Sequence, residues 1–521
     1  MRSRKRPPRE RANSQATSAV RRLPGCSGPV GEGANRPSWD IPGESRLRAV
    51  PGHDFDAVVI GAGPAGEVLA GRLARRGRKR VAIVERHLVG GECSFYACMP
   101  SKALLHPAEI LAEVRRVPGA AQALVGDLDV QAVLDRRDEV INNLDDSEQL
   151  PWLEERGVAL FRGAARLDGE RTVRVGDDVL HAREAVVIAV GSVASMPPIP
   201  GLAEAHAWSN REITTAKEVP SSLVILGGGV VGAEMAQAWS SLGTKVAVVE
   251  ALDQLISREE PFAGELVASA LRERGVEVHL GRKAARVRGE AVHLTVELED
   301  GTSVTGDRLL VAVGRRPLTD DLGLETVGLE AGPYIEVDDH LRVPGNDWLY
   351  AVGDANGRTL LTHAGKYQAR IAADIILGEH TATAFADTLG SPRVVFTDPQ
   401  VAAVGPTLAE AQASGRQAIA IDLPTGSSAG ASFVGHGAPG DSRFVVDTQR
   451  EVLLGVTFTG AEVAELLHAA SIAVVGEVPL STLAHAIAPF PTRLELWLAF
   501  LEAYERKRGV TVHAAGRKDG R

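Results

Sequence analysis

The chain has 521 residues, enough for three or four domains, and 44% hydrophobic with 24% charged residues is the balance of a globular protein, too apolar for bulk disorder. No apolar run reaches the roughly 18–20 residues that span a bilayer, and three cysteines are too few for a disulfide scaffold. The net charge of −10 argues against a general nucleic-acid binder, which would carry a basic body.

Residues 1–50 hold 11 Lys+Arg against 4 Asp+Glu, so the acidic balance lies in the remainder. This start is rich in Pro, Gly and Ser and has no periodicity, so residues 1–53 read as a disordered basic tail. A targeting segment, a nucleic-acid arm, and a start codon placed upstream of a true start near Val50 are the other readings open to it. Cys26 lies in this tail and is taken as incidental.

Asp56–Ile60 is a short β-branched run that reads as a buried parallel strand. Gly61-Ala62-Gly63-Pro64-Ala65-Gly66 follows, then a helical stretch ending at Gly77, then a strand from Val81 to Val84 that leads into Glu85. This is a dinucleotide fingerprint in its strand–turn–helix–strand context. The first glycine permits the tight turn, the second lets backbone approach a pyrophosphate, and the third lets helix pack on strand. Glu85 is placed to accept ribose hydroxyls.

The same unit recurs about 165 residues later: Leu223–Leu226, then Gly227-Gly228-Gly229-Val230-Val231-Gly232, a helix to Gly243, and Val246–Val249 leading into Glu250. Two fingerprints imply two bound nucleotides, and a protein holding two usually passes electrons between them. A carboxylate at Glu250 welcomes a free 2′-hydroxyl and repels a 2′-phosphate, which favours NADH over NADPH.

Between the repeats stands Gly90-Gly91-Glu92-Cys93-Ser94-Phe95-Tyr96-Ala97-Cys98-Met99-Pro100-Ser101-Lys102. Two cysteines five apart lie directly before a helical run from Ala103 to Val114, where the helix dipole favours a thiolate. The pair suits a disulfide–dithiol cycle, although two unrelated buried thiols have the same spacing. A zinc site would need further ligands nearby, and no metal centre is expected.

These motifs resemble the class I pyridine nucleotide–disulfide oxidoreductases, the family of dihydrolipoamide dehydrogenase, glutathione reductase and mercuric reductase, from about Asp54 to Glu505. The resemblance implies an α/β protein with two Rossmann-like nucleotide-binding domains, the NAD(P) domain being inserted into the FAD domain, plus a C-terminal α/β dimerisation domain. Its boundaries would be 54–200 and 318–388 for the FAD domain, 201–317 for the NAD(P) domain, 389–505 for the dimerisation domain, and 506–521 for a loose basic end. The first fingerprint matches the FAD site, with Gly61, Gly63, Pro64, Ala65, Gly66 and Glu85, followed by Gly91, Glu92 and Lys102. The second matches the NAD(P) site, with Gly227, Gly229, Val231, Gly232 and Glu250. Gly191 and Ser192 close the first FAD half, Gly314 marks the exit from the NAD(P) domain, and Gly353 with Asp354 resembles the second FAD motif. Leu361, Thr362 and His363 resemble the segment lying along the isoalloxazine. By the same resemblance Cys93 is the interchange thiol, Cys98 the charge-transfer thiol, and Lys102 and Glu234 an ion pair beside the flavin. A homodimer in the cytoplasm is expected, with a small molecule or small disulfide as acceptor, and with no membrane or nucleic-acid partner.

The chain departs from the family in three places. Phe95 and Ala97 stand between the cysteines where Asn and Gly are usual. The C-terminal His-Pro-Thr-x-x-Glu motif reads Phe490-Pro491-Thr492-Arg493-Leu494-Glu495, so the acid–base histidine is missing and Glu495 loses the partner it would orient. His485, five residues upstream, is the one nearby substitute. No cysteine follows Cys98, which disfavours mercury handover and a C-terminal redox pair. Three readings follow. The leading one is an FAD- and NADH-dependent oxidoreductase whose Cys93/Cys98 pair serves an acceptor needing no histidine acid: a quinone, a metal or other oxidant, or an activated disulfide. The second is an orthodox dihydrolipoamide dehydrogenase or other small-disulfide reductase, and the third a non-catalytic flavoprotein scaffold.

Overall fold

A computed structural model describes residues 53–289, 293–379, 383–435 and 437–509. The expectations for residues 1–52, including Cys26, and for residues 510–521 lie outside the described residues.

Strand Asp54–Ile60 sits at the centre of a seven-stranded sheet, parallel to Val81–Glu85 on one side and to Asp178–Ile188 on the other. Ala159–Arg162 extends the sheet beyond Val81–Glu85. The eleven-residue strand Asp178–Ile188 does two jobs along one edge. Its first residues pair antiparallel with Thr172–Val175, while Val186–Ile188 pair parallel with Leu349–Ala351, a strand contributed from far along the chain. Alternate residues of Asp54–Ile60 enter two different cores: Ala57 and Val59 pack under helices Pro64–Ala74 and Thr362–Ile376, while Phe55, Val58 and Ile60 pack on the opposite face. A sheet covered on both faces needs a continuous apolar strand, which is why DAVVI shows no alternation.

The second repeat builds its own parallel sheet in the order Glu277–His279, Lys245–Val249, Ser222–Leu226, Arg308–Val311. A three-stranded antiparallel sheet, Ala284–Arg288, Leu294–Leu298 and Ser303–Gly306, follows it. The chain enters and leaves this region through Ser192–Ala194 and Arg315–Pro317, which pair antiparallel with each other.

Residues 393–460 form a five-stranded antiparallel sheet, Arg393–Val395, Gln400–Val404, Val452–Gly460, Asp441–Asp447 and Ala418–Pro424 in spatial order. The C-terminal apolar stripe is core: Leu496, Trp497, Phe500 and Tyr504 are buried against this sheet. Phe500 stacks on Phe444 with centroids 4.1 Å apart, and Trp497 meets Phe444 edge-on. The helix runs Leu496–Lys507, so Arg506 and Lys507 belong to it rather than to the loose end expected from residue 506. Its two closing basic residues suit the negative end of the helix dipole. No helix among the described residues is long and apolar enough to cross a membrane.

Phe500 is fully buried, so Phe500→Ala removes a ring and leaves a cavity. It should lower the stability of the C-terminal region by about 3–5 kcal/mol, read from urea denaturation. A loss below about 1 kcal/mol would show that the stack does not anchor the sheet.

Candidate active site

Both fingerprint turns solve the same steric problem in the same way. Gly61 has φ +104°, and a Cβ there would lie 2.4 Å from the Ala189 carbonyl oxygen; a Cβ on Gly66 would lie 1.9 Å from the Gly61 oxygen. Gly227 and Gly232 repeat both conflicts, at 2.5 and 1.9 Å. The middle glycines differ: a Cβ on Gly63 or Gly229 would meet nothing within 4 Å. Those two positions open onto the space where a pyrophosphate would approach.

The acidic residues are also held alike. Glu85 accepts from the backbone N–H of Ala62 at 2.8 Å and of His87 at 2.7 Å. Glu250 accepts from Gly228 at 2.5 Å and Leu252 at 2.8 Å. Each carboxylate is thereby fixed at the end of its second strand, pointing to its glycine turn.

A cleft of about 880 Å³ collects most of the first set of predicted residues: Gly61, Gly63, Pro64, Ala65, Glu85, Gly91, Glu92, Cys93, Gly191, Ser192, Gly353, Asp354, Leu361 and Thr362 all line it. Gly66 packs beneath the turn instead. His363 points away, with Nε2 donating to the Pro392 carbonyl at 2.7 Å, and burial holds its imidazole below the usual range. Val231 is half-buried and packs on the apolar cluster that includes Leu104 and Trp239. Gly314 has φ +150° and open space around it.

The two cysteines meet at the floor. Their sulfurs are 2.7 Å apart, with Cys98 as the first residue of helix Cys98–Arg116 and Cys93 in the short turn of helix Gly91–Phe95. Closing a disulfide at about 2.05 Å therefore asks for less than an ångström of movement. Thr362 Oγ1 lies 3.5 Å from Cys98 Sγ. The hydrogen bond from Cys93 is the main reason the Cys98 thiol sits below its usual range, at about 6; Thr362 and the Lys102 charge act in the same direction and burial opposes them. The same hydrogen bond, with burial, pushes the Cys93 thiol far up. One proton shared between two thiols is thus held on Cys93, and Cys98 carries the negative charge.

Lys102 Nζ donates to both oxygens of Glu234, at 2.7 and 3.0 Å, and lies 4.6 Å from the centre of the Phe396 ring. Glu234, on helix Val230–Ser241, is 3% exposed and also accepts from the Phe396 backbone N–H at 3.0 Å.

Several residues in and beside the cleft are not among the site residues that the sequence points to. Arg211 donates to Glu92 at 2.5 Å and stacks its guanidinium on Tyr96, which bonds His87 at 2.9 Å. Asn210 donates to Glu92 at 2.7 Å and to the Tyr96 carbonyl at 2.9 Å. Arg315 donates to Ser192 Oγ at 2.7 Å, and Ser192 in turn donates to Asp354 at 2.5 Å. Burial raises the Asp354 carboxyl above its usual range, with Ser192 and Arg315 opposing. Glu92 and Asp354 are thus two carboxylates in one cleft, each partnered by an arginine or a hydroxyl. Arg211 and Arg315 offset the acid charge and leave the cleft able to accept an anionic cofactor.

The family profile described as pyridine nucleotide-disulphide oxidoreductase matches residues 55–369, and the dimerisation domain of that family matches residues 391–499. The dihydrolipoyl dehydrogenase of Haloferax volcanii is 33% identical over 476 residues, covering 89% of this chain and 98% of that one. The mercuric reductase of Staphylococcus aureus is 29% identical, over 85% of this chain and 81% of that one. Among solved structures, the Cu(II) complex of the HOCl-induced flavoprotein disulfide reductase RclA from Escherichia coli superposes with a TM-score of 0.76 at 27% identity, covering 86% of this chain and 99% of that chain. The chain belongs to the pyridine nucleotide–disulfide oxidoreductase family, whose members are FAD enzymes that use a pyridine nucleotide.

The ion pair beside the dithiol is asymmetric. Removing Lys102 strands a carboxylate that has no route to water, whereas removing Glu234 leaves a lysine that is 35% exposed. Lys102→Met should therefore cost about 3 kcal/mol or more, and Glu234→Gln nearer 1 kcal/mol, compared by thermal unfolding of the two FAD-loaded variants. Equal losses would contradict the assignment of Glu234 as the buried partner.

Proposed function

We propose that the chain is an FAD-dependent NADH oxidoreductase that passes electrons to the Cys93/Cys98 pair and on to an acceptor needing no histidine acid. The observation that carries this reading is the pair itself: two sulfurs 2.7 Å apart, with Cys98 held as thiolate and Cys93 keeping the proton. A flavin held in this cleft would supply the hydride-accepting centre through which electrons reach the dithiol. Around it the protein's own residues do the rest. The glycine turns and the cleft's arginines would hold the pyrophosphate, Glu85 would take the adenosine ribose, and Lys102 with Glu234 sets an ion pair beside the redox loop. Glu250, at the second turn, accepts ribose hydroxyls and repels a 2′-phosphate, which favours NADH. Two free thiols suit a reducing compartment such as the cytoplasm.

The acceptor class follows from position 490. Phe490 is 75% exposed, and the Oε2 of Glu495 is buried with no hydrogen-bond partner among the described residues. His485 sits on an exposed turn nearby. A phenyl ring gives and takes no proton, and losing a positioned acid typically costs ~10²–10⁴ in rate. Quinones, oxidising metal ions and disulfides with acidic leaving thiols escape that penalty. The Cu(II) complex of RclA and the mercuric reductase relative support metal ions as members of this class. The second reading, dihydrolipoamide dehydrogenase, draws its support from relatives of that name.

Anaerobic titration of the holoenzyme with NADH tests the reading. A long-wavelength thiolate-to-flavin band should appear after two electrons. Because the Cys98 pKa is depressed, the thiolate exists above about 6 and is lost below it, so the band should grow as pH rises from 5 to 7. Cys93→Ala removes the main cause of that depression and should move the midpoint upward. Bleaching of the flavin with no band at any pH would show that the dithiol is bypassed. Phe490→His, which restores the histidine of the family's His-Pro-Thr-x-x-Glu motif, should raise lipoamide turnover by about 10-fold or more while changing quinone reduction little. A wild-type lipoamide rate equal to that of the variant would favour the second reading.

A further inference from the structure

Helix Thr362–Ile376 brings its first residue to the dithiol, with Thr362 Oγ1 3.5 Å from Cys98 Sγ. Lys366 stands one helical turn further on, and residues four apart share a helix face. Gly365, its neighbour, lines the cleft that contains Cys93. Lys366 is exposed and forms no salt bridge with any described residue. Its charge nonetheless reaches the Cys93 thiol, which it lowers against the stronger upward effects of Cys98 and burial.

Lys366 also acts on Glu67, across the contact between helices Pro64–Ala74 and Thr362–Ile376. Glu67 Oε1 is buried without a hydrogen-bond partner, and burial pushes this carboxyl up to about 7. Near neutral pH Glu67 is therefore only partly ionised and offsets the Lys366 charge only in part. Arg370, another turn along and also exposed, extends the positive stripe.

We propose that Lys366 is the cation on the acceptor side of the dithiol: it favours the Cys93 thiolate and the thiolate that leaves an acceptor disulfide, and so does the electrostatic part of the missing histidine's work. This rests on the reading that Cys93 and Cys98 are reduced by NADH through the flavin. For a disulfide RSSR the step balances as follows. Cys93 loses its proton to water and attacks one sulfur. The RS–SR bond breaks, a Cys93–SR bond forms, and RS⁻ leaves beside Lys366. Cys98 thiolate then attacks Cys93 Sγ, re-forming the Cys93–Cys98 disulfide and expelling the second RS⁻. Both RS⁻ ions take protons from water, and the two electrons are those delivered by NADH. Acceptors and reagents carrying negative charge gain further, because they approach along the positive stripe.

The test is alkylation of the NADH-reduced, anaerobic holoenzyme with neutral iodoacetamide and anionic iodoacetate, with the modified thiol assigned by peptide mapping. Lys366→Met should slow iodoacetamide at Cys93 by about 3-fold and iodoacetate by about 10-fold, and Lys366→Arg should stay within about 2-fold of wild type for both. Raising the salt concentration should narrow the gap between the reagents in wild type alone. Unchanged rates with both reagents in Lys366→Met would overturn the proposal. If NADH exposes no alkylatable Cys93 even in the wild-type enzyme, the dithiol reading itself falls, an outcome distinct from an inert Lys366.

Discussion

The Glu234 carboxylate cannot be left alone. At 3% exposed it would cost several kcal/mol unpaired, and its pairing joins three separate parts of the chain. Lys102 reaches it from the helix that begins with Cys98, the Phe396 backbone N–H from the start of the C-terminal sheet region, and Glu234 itself from the helix of the second fingerprint. One buried charge thereby fixes the redox helix against the other two regions. The same meeting point is reinforced by Asp398, which accepts from Arg116 at 3.0 Å and Arg274 at 2.8 Å. Since Cys98 sits at the first turn of the helix so clamped, the position of its sulfur is set by these distant charges as much as by its own loop.

Duplication gives the fold its second constraint. The two glycine turns share their steric conflicts, their open middle positions and their carboxylate–backbone hydrogen bonds. They differ in what faces the open side. The first turn looks into a cleft with Arg211, Arg315, Asp354 and both fingerprint-distant segments around it. Identical local chemistry thus serves two nucleotides because the surrounding elements differ. The cleft of the first unit needs the returning strand Leu349–Ala351 and helix Thr362–Ile376 to be complete.

This explains what was legible in the sequence. The strand–turn–helix units, the dithiol spacing and the order of motifs are local patterns, so they could be read directly. The partner of Glu92 could not. Arg211 is 119 positions away and Arg315 further still, and no periodicity marks either one. Thr362 could be placed near the flavin by resemblance, but its approach to Cys98 depends on strand Leu349–Ala351 returning to the first sheet from far along the chain. In the redox loop Phe95, like Ala97, reads as a departure from the family, and its neighbour Tyr96 carries no assigned role. The structure gives them separate duties: Phe95 is buried with Ile141, while Tyr96 links Arg211 to His87 at the cleft wall. The helix end at Lys507 was missed because basic residues at a C-terminus read equally well as a cap or as a solvated tail.

Position 490 joins these threads. The family motif pairs a histidine at this position with Glu495; here the Glu495 Oε2 atom is buried with no hydrogen-bond partner among the described residues, a cost of about 1–3 kcal/mol. Phe490 and Ile487 are 75% and 94% exposed on the same segment, an amount of apolar surface that a dimerising chain covers with its partner. On the proposed reading a phenyl ring at this position shields the dithiol from water instead of exchanging protons with it. Drying a site strengthens every charge within it. The Cys98 thiolate, the Lys102–Glu234 pair and Lys366 all then act through a lower effective dielectric. On that reading, phenylalanine in place of histidine trades proton transfer for electrostatic leverage, a trade that suits acceptors which take electrons readily and need no help in leaving.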